Sequence, residues 1–547
     1  MSSGFSARAA LAALVTLATL SLGACSSSPP RPTAWGPPEV VVAPSHFSGV
    51  HGLAIDVKGR LLAGTVAGFN MWEVDRKTGA AKVFIAAPQG QADDIAIGPK
   101  GEMAWTNLIL GTLSYRENDA APIQILAKDL RGINSVAFDM ASGRLYTSQV
   151  FTGDALWEID RGGKKPPRLI RKDLGGFNGF EVGKDGWIYG PLWFKGQVVR
   201  INPADGRIDV IDDQFKTPAA VNFDAKGNLW ALDTYRGELV RIDLPSRKRT
   251  MVKQLRPALD NLAFAPDGTI YISNMANNEI VAYDPATGQL KTLTSGKVAI
   301  PSGLQVEGDT LWVADVFAFR SVDLKTGDVT DIHRNYASDL DHPFGLHMSS
   351  KLFALSSWWG GSVQLLDRAT KQTTGFIKGL KVPMDAIPME DGSVVYIELA
   401  TGSVSRASGA GFADRKLIAS GLTGPAQMTL GRDGMLYVTE AAGKLTRIDP
   451  ADGRMTTVAD KLAMPEGVAQ TPWGSFIVAE TLARQLTEID PASGSRRIVA
   501  SDLPIGLPPG PGMPPMYINT GVTVGADGTV YVSADRNNAI YRIRPAR

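Results

Sequence analysis

A unit of about 40 to 44 residues recurs along nearly the whole chain, and this repeat limits the available folds more than any other feature. The clearest copy runs from Leu259 through Asp267-Gly268 to Asn274 and continues from Glu279 to Thr287-Gly288. Similar copies begin at Pro425, with Asp433-Gly434 and Arg447-Ile448-Asp449, and at Pro465, ending at Ile489-Asp490-Pro491. Each unit reads as four short strands. The first is an apolar alternation such as Leu53 to Ile55, followed by a tight turn such as Asp185-Gly186, Lys226-Gly227 or Asp527-Gly528. The second is β-branched and aromatic, as in Leu311-Trp312-Val313. The third closes on an Arg-Ile-Asp type ending, and a Thr-Gly or Asp-Gly turn leads to a more polar fourth.

One such unit cannot bury both faces of its sheet, but radial packing against like neighbours can. The repeat therefore predicts an all-β chain of propeller blades. Isolated sandwich domains do not explain the constant period. The first strands are expected to begin near Val50, Asp93, Ile133, Phe177, Pro218, Leu259, Pro301, His342, Pro383, Pro425, Pro465 and Asn519. The last interval is stretched by a Pro/Gly-rich insert, Pro504 to Pro515. Propellers usually have four to eight blades, so twelve units predict two tandem six-bladed β-propellers of four-stranded blades. The expected division is 39–288 and 289–547. Glu39 to Ala43 reads as a strand without a blade, and the final unit lacks a fourth strand. We expect Glu39 to Ala43 to close the first ring against the blade at Leu259, and Leu290 to Thr294 to close the second against the final blade, so that neither ring leaves a bare edge.

The first 24 residues read as an export signal, with Arg8 followed by the apolar run Ala9 to Leu20, short for a membrane span. Leu22-Gly23-Ala24-Cys25 then resembles the lipobox of bacterial lipoproteins, which implies cleavage before Cys25 and a lipid on its thiol. Cys25 is the only cysteine, so the mature chain forms no internal disulfide. Residues 25–38 read as a Ser/Pro-rich tether, and Ser26 resembles outer-membrane sorting. The expected location is the bacterial cell envelope, with a lipid-anchored association with the membrane. The 56 basic residues nearly balance 55 acidic ones, and no basic run with interleaved aromatics occurs, which argues against a nucleic-acid partner.

Phe177-Asn178-Gly179-Phe180 with Asp185-Gly186, and Leu259-Asp260-Asn261-Leu262 with Pro266-Asp267-Gly268, make the chain resemble the regucalcin/gluconolactonase superfamily, with strictosidine synthase and paraoxonase as more distant relatives. The units at Pro425 and Pro465 also resemble the repeats of virginiamycin B lyase.

The start of each first strand points into a propeller's central funnel. In the first ring these positions are His51, Asp93, Asn134, Asn178, Ala219 and Asp260. In the second they are Ser302, Phe344, Met384, Ala426, Glu466 and Thr520. Four oxygen-donor side chains on one axis, with no thiol, suit one hard divalent cation such as calcium. The resemblance implies a metal held by Asn178, Asn134 and Asp260, helped by Asp93 or Asn261. It also implies a glutamate in the first blade, where this chain has His51. The expected chemistry is hydrolysis of a lactone or similar ester, with His51 or Asp260 helping to activate water. Two rivals remain open: a non-catalytic envelope protein that binds a ligand or partner, and a lyase working in the second ring with Glu466. The second-strand ends Asp315, Glu398, Glu440 and Glu480 are expected to bond to backbone of a neighbouring blade. His333, His342 and His347 fit no zinc spacing and read as surface or loop histidines. Trp358-Trp359-Gly360-Gly361 could line a ligand mouth or pack between blades. No phosphate-binding glycine loop or nucleophile elbow occurs.

Overall fold

A computed structural model describes residues 29–509 and 516–546. The export signal, Cys25 and the middle of the Pro504 to Pro515 insert lie outside the described residues. The described chain forms twelve four-stranded antiparallel sheets and a two-stranded ribbon that pairs Ala34–Trp35 with Pro545–Ala546. No described helix is long and apolar enough to cross a membrane.

The hairpins follow from local chemistry. In the unit at Leu259, Gly268 adopts φ +90°, a conformation costly for other residues, and its N–H donates to the Ala265 carbonyl at 2.9 Å. The Asp267 carboxylate then accepts from the Thr269 N–H, also at 2.9 Å. This turn joins Leu259–Phe264 to Ile270–Asn274. The pattern repeats, so most of the fold is built from neighbours in sequence.

Blades 1 to 6 run from Val50–Ile55 to Leu290–Thr294, and the first strand of blade 6 packs back on that of blade 1. Blades 7 to 12 begin at Pro301–Glu307, which packs in turn on Val522–Val524 of blade 12. Both rings therefore have six blades. Their cores lie between sheets, as where Ala220 and Leu232 of blade 5 meet Leu262 and Ile272 of blade 6. Burying each such large side chain contributes about 2 kcal/mol.

Ring closure departs from the sequence-based expectation. Leu290–Thr294 pairs with Glu279–Tyr283 as the fourth strand of blade 6 and belongs to the first ring. Glu39–Val42 pairs instead with Ala539–Ile543 and completes blade 12 of the second. Loop entropy explains the difference, because the Thr287-Gly288 turn brings Leu290–Thr294 to blade 6 across a very short connection. Blade 12 ends without a fourth strand, so its edge is the one left for Glu39–Val42 to cover. The first ring is thus inserted between the outer strand of blade 12 and blade 7, and the division falls after Thr294.

An apolar cluster and a buried arginine are among the features that join the rings. Phe69, Met275 and Ala276 of the first ring share an apolar cluster with Ile300, Phe317, Phe344 and Tyr517 of the second. Buried Arg320 pairs with Asp315 at 2.6 Å and with Asp331, and also donates to the Ala276 carbonyl across the junction.

Candidate functional site

The first strands are irregular where the site begins. Register shifts fall between Val50 and Leu53, Ile133 and Val136, and Leu259 and Leu262, so each strand carries a bulge at its second and third residues. A bulge lets two successive side chains face inward instead of alternating. Hydroxyls on the second strands fix these bulges. Thr106 accepts from the Asp94 N–H at 3.0 Å and donates to the Asn134 carbonyl of the next blade at 2.5 Å. Ser273 accepts from the Asn261 N–H at 3.0 Å and donates to the His51 carbonyl at 2.7 Å, which ties blade 6 to blade 1.

The result is a pocket whose floor holds His51, Asp93, Asn134, Asn178 and Asp260. All five polar funnel residues expected in the first ring therefore meet in one space. Asn261 does not join them. It lies at the opposite mouth of the same ring with Asp94 and Glu181, in a separate polar cavity. Its amide nitrogen donates to Asp94 at 2.9 Å, and its amide oxygen accepts from the Leu262 N–H at 2.7 Å. Asn261 is thus removed from the floor group, and the bulge explains why: Asp260 and Asn261 serve different ends of the channel.

The floor is charged and poorly solvated. Burial, and then the charges of Asp260 and Asp94, hold the Asp93 carboxyl well above its usual range, partly offset by the Asn134 amide. Burial pushes Asp260 up to about 7, although its cavity-facing edge stays open. Asp94 is likewise raised to about 7 by burial, with a smaller contribution from Asp260. Burial lowers His51 to about 4, so the ring is neutral at physiological pH. Its Nδ1–H donates to the Gly49 carbonyl at 2.8 Å, which leaves Nε2 as an acceptor.

These residues fit a hard divalent cation. Two carboxylates share the floor with amide oxygens, and no lysine or arginine lines the cavity to neutralise them. Among the described residues no three His, Cys, Asp or Glu side chains form a metal-binding group, so amide or water oxygens would complete the shell. Asn134 is the better amide. The single proton of Ser135 Oγ serves one of the two amide oxygens at a time, at 2.8 Å from Asn134 and 3.0 Å from Asn178, whereas only Asn178 Oδ1 also accepts from the Gly179 N–H, at 2.8 Å.

The walls are apolar and come from both rings. Leu108, Ile109, Phe151, Trp193 and Met275 belong to the first, and Ile300, Phe317, Phe344, Trp358, Trp359 and Ile518 to the second. Tyr336 and His342 also reach this space from the loop between blades 7 and 8. His342 is therefore a loop histidine, as one of its two readings had it, but it faces the cavity rather than the surface. His333 instead donates to the Lys371 carbonyl at 2.6 Å, and His347 pairs with Asp385 at 2.9 Å near the far mouth of the second ring. Tyr336, Phe317 and Tyr517 were not anticipated, because nothing in the repeat signals contact between rings. Asp94 could have been found: Asp93-Asp94 matches Asp260-Asn261 in register.

The second-ring acids are structural, with one correction. Glu398, Glu440 and Glu480 accept from the N–H groups of Lys381, Thr423 and Ala463, just before the first strand of their own blade rather than in a neighbouring one.

No protein-family model matches the chain, and no curated protein sequence matches it. Among solved structures it is similar to a streptogramin B lyase, at 16% identity and a TM-score of 0.26 over 60% of this chain and 93% of that one. It is also similar to a selenomethionine-substituted virginiamycin B lyase from Staphylococcus aureus, at 15% identity and a TM-score of 0.27 over 60% and 94%. Likeness at this level carries no argument about the site. The propeller assignment rests on the strand pairing and ring closure described above.

Proposed function

We propose that the chain is a divalent-metal-dependent hydrolase of a lactone or similar ester with an apolar body, acting in the cavity between its rings. The observation that carries this reading is the meeting of a carboxylate floor and aromatic walls in one pocket. Asp93, Asn134 and Asp260 would hold the cation, and calcium suits their oxygens. Bound there, it would polarise the ester carbonyl and stabilise the oxyanion that forms on attack. Neutral His51 offers Nε2 to the attacking water. Its low proton affinity suits it to take the water proton and pass it to the leaving alkoxide oxygen of the opened ester rather than keep it. The apolar walls hold the body of the substrate and exclude bulk water, which strengthens the electrostatics of the floor. Export and a lipid on Cys25 would place this activity at the cell envelope.

Turnover of a lactone panel by chain lacking residues 1–24 tests the reading. Activity should vanish on chelation, return with calcium, and fall at least about a hundredfold in Asp260→Asn. Activity that survives chelation would refute the metal mechanism. A binding-only envelope protein is the second reading, favoured by the Asn178 oxygen, which the Gly179 N–H already engages at 2.8 Å. Tight binding of an apolar lactone without turnover would favour it.

A further inference from the structure

We propose that Arg31 to Gly36 are a clamp rather than a tether, and that they stand the chain on the far face of its second ring, against the lipid surface that holds Cys25. The inference rests on the lipid reading of Cys25 given above and not on the hydrolase reading.

The sequence reads residues 25–38 as a tether, yet the later part of that stretch is built into the second ring. Ala34–Trp35 pairs with Pro545–Ala546, and the Gly36 N–H donates to the Arg544 carbonyl at 2.8 Å. Arg31 Nε donates to Glu488 Oε1 at 2.7 Å. Arg497 donates to the carbonyls of Pro32 and Thr33 at 2.7 and 3.2 Å. Trp35 packs on the apolar cluster of blades 11 and 12, with its ring centroid 5.9 Å from that of Trp473.

Glu488 anchors this seat. Its carboxylate is fully buried, so it needs charged and hydrogen-bonding partners. Ser475 donates to it at 2.7 Å and Trp473 Nε1 at 2.8 Å, both from blade 11. Arg497 pairs with it from the next strand of that blade, and Arg31 completes the set from the N-terminal segment. Burial works to raise Glu488, yet Ser475, Trp473, Arg31 and Arg497 hold it below the usual carboxylate range. Arg497 thus grips the segment twice, through its own bonds to the Pro32 and Thr33 carbonyls and through the carboxylate it shares with Arg31.

The clamp lies at one end of the second ring and the cavity at the other. Phe344 and Ile518 reach the cavity from the end where the first strands begin. Trp473 sits in the turn after Pro465–Gln470, a first strand of six residues, so about 20 Å of blade separates the two ends. Ser26 to Pro30 are the only residues between Cys25 and Arg31. Fully extended, that stretch reaches about 20 Å, whereas a tether free as far as Pro38 would reach about 45 Å and let the rings turn at will. The far ends of blades 11 and 12 are therefore held beside the bilayer, and the cavity end of the ring faces away from it. The plugged ring becomes the pedestal of the open one.

Cys25 is the only cysteine, so once it carries lipid a cysteine placed elsewhere is the one free thiol. Processed chain from a bacterial membrane, with a dye on Ala492→Cys or on Ala225→Cys, is placed in phosphatidylcholine vesicles that carry a nitroxide on their headgroups. Ala492 is exposed in the turn before Arg496–Ala500 of blade 11, and Ala225 is exposed in the turn after Pro218–Phe223 of the first ring. The dye at 492 should lose most of its fluorescence, and the dye at 225 should keep it. About ten Gly/Ser residues inserted after Ser28 should restore the fluorescence at 492, because they lengthen the reach without touching the clamp. Mass spectrometry of the same chain should show the lipid. A chain without lipid overturns the lipid reading, and this inference with it. A lipidated chain whose two dyes are quenched alike, or whose quenching ignores the insertion, overturns this inference alone. In hydrogen exchange the Gly36 N–H should be slow, and exchange as fast as in a free peptide would show that residues 31–36 are a tether after all.

Discussion

The two rings use the same blade, the same first-strand bulge and similar hydroxyl supports, yet their axes differ. In the first ring five polar side chains face a cavity. In the second, Phe344, Met384 and Ala426 are buried at the matching positions, and Ser302 and Glu466 are tied into backbone. Ser302 donates to the Asn519 carbonyl at 2.8 Å, and Glu466 accepts from the Thr520 N–H at 2.7 Å. The backbone is thus a common frame, and one side chain per blade decides whether an axis is a site or a plug. The plugged ring still takes part, because its loops roof the open one.

Closure separates the rings most sharply. Val42 is fully buried in the edge strand of blade 12, and Glu39 pairs there with Arg542 at 2.9 Å. Val42→Asp places an unpaired charge in that core and should destabilise the second ring by about 4 kcal/mol. Calorimetry should show a lower transition for the second ring and a retained one for the first. A single transition that shifts as a whole would mean that the apolar junction makes the rings one cooperative unit.

Titration should separate the rings next. Asp94 and Asp260 are raised to about 7, Asp535 to about 6 and Glu466 to about 8, all chiefly by burial. A raised carboxyl contributes stability that is full below its unfolded value, near 4, and is lost as pH rises through its folded value. His51 runs the other way: its contribution is present above about 6.5 and lost as pH falls through about 4. The carboxyls outnumber it, so metal-free chain should lose stability progressively between about pH 4 and about pH 8. Excess calcium should restore the part due to Asp93 and Asp260, and leave the part due to Glu466. Equal rescue of both rings would break the distinction drawn between their axes.

Much of this was legible in residue order. The period, the turns and the five floor residues follow from local pattern, because blades are built from neighbouring hairpins. The partner of Glu39–Val42 was not, since a bare strand carries no signal of which distant edge it will cover. Asn261 was misplaced because the resemblance set it beside Asp260 on one metal, whereas the bulge sends the two side chains to different ends of the channel. The roof of the cavity was hidden for a different reason: Tyr336, Phe317 and Tyr517 meet the floor only through the docking of two rings, a contact between surfaces with no periodicity to read.

The smallest effect concerns the hydroxyl supports. Ser273 bridges blade 6 to blade 1 through the Asn261 N–H and the His51 carbonyl, in a ring without a shared closing strand. Ser533 in blade 12 accepts from Gly521 of its own blade at 2.7 Å, and its ring is already closed by Glu39–Val42. Ser273→Ala leaves a buried N–H and a carbonyl without partners and should cost about 2 kcal/mol in chemical denaturation, whereas Ser533→Ala should cost about 1. Because Ser273 also holds the Asn261 N–H and so fixes the bulge beside Asp260, Ser273→Ala should also weaken calcium binding at the floor, which Ser533→Ala leaves intact. The opposite order of stabilities would show that the first ring is held by packing alone, and that Ser273 matters only to its own strand.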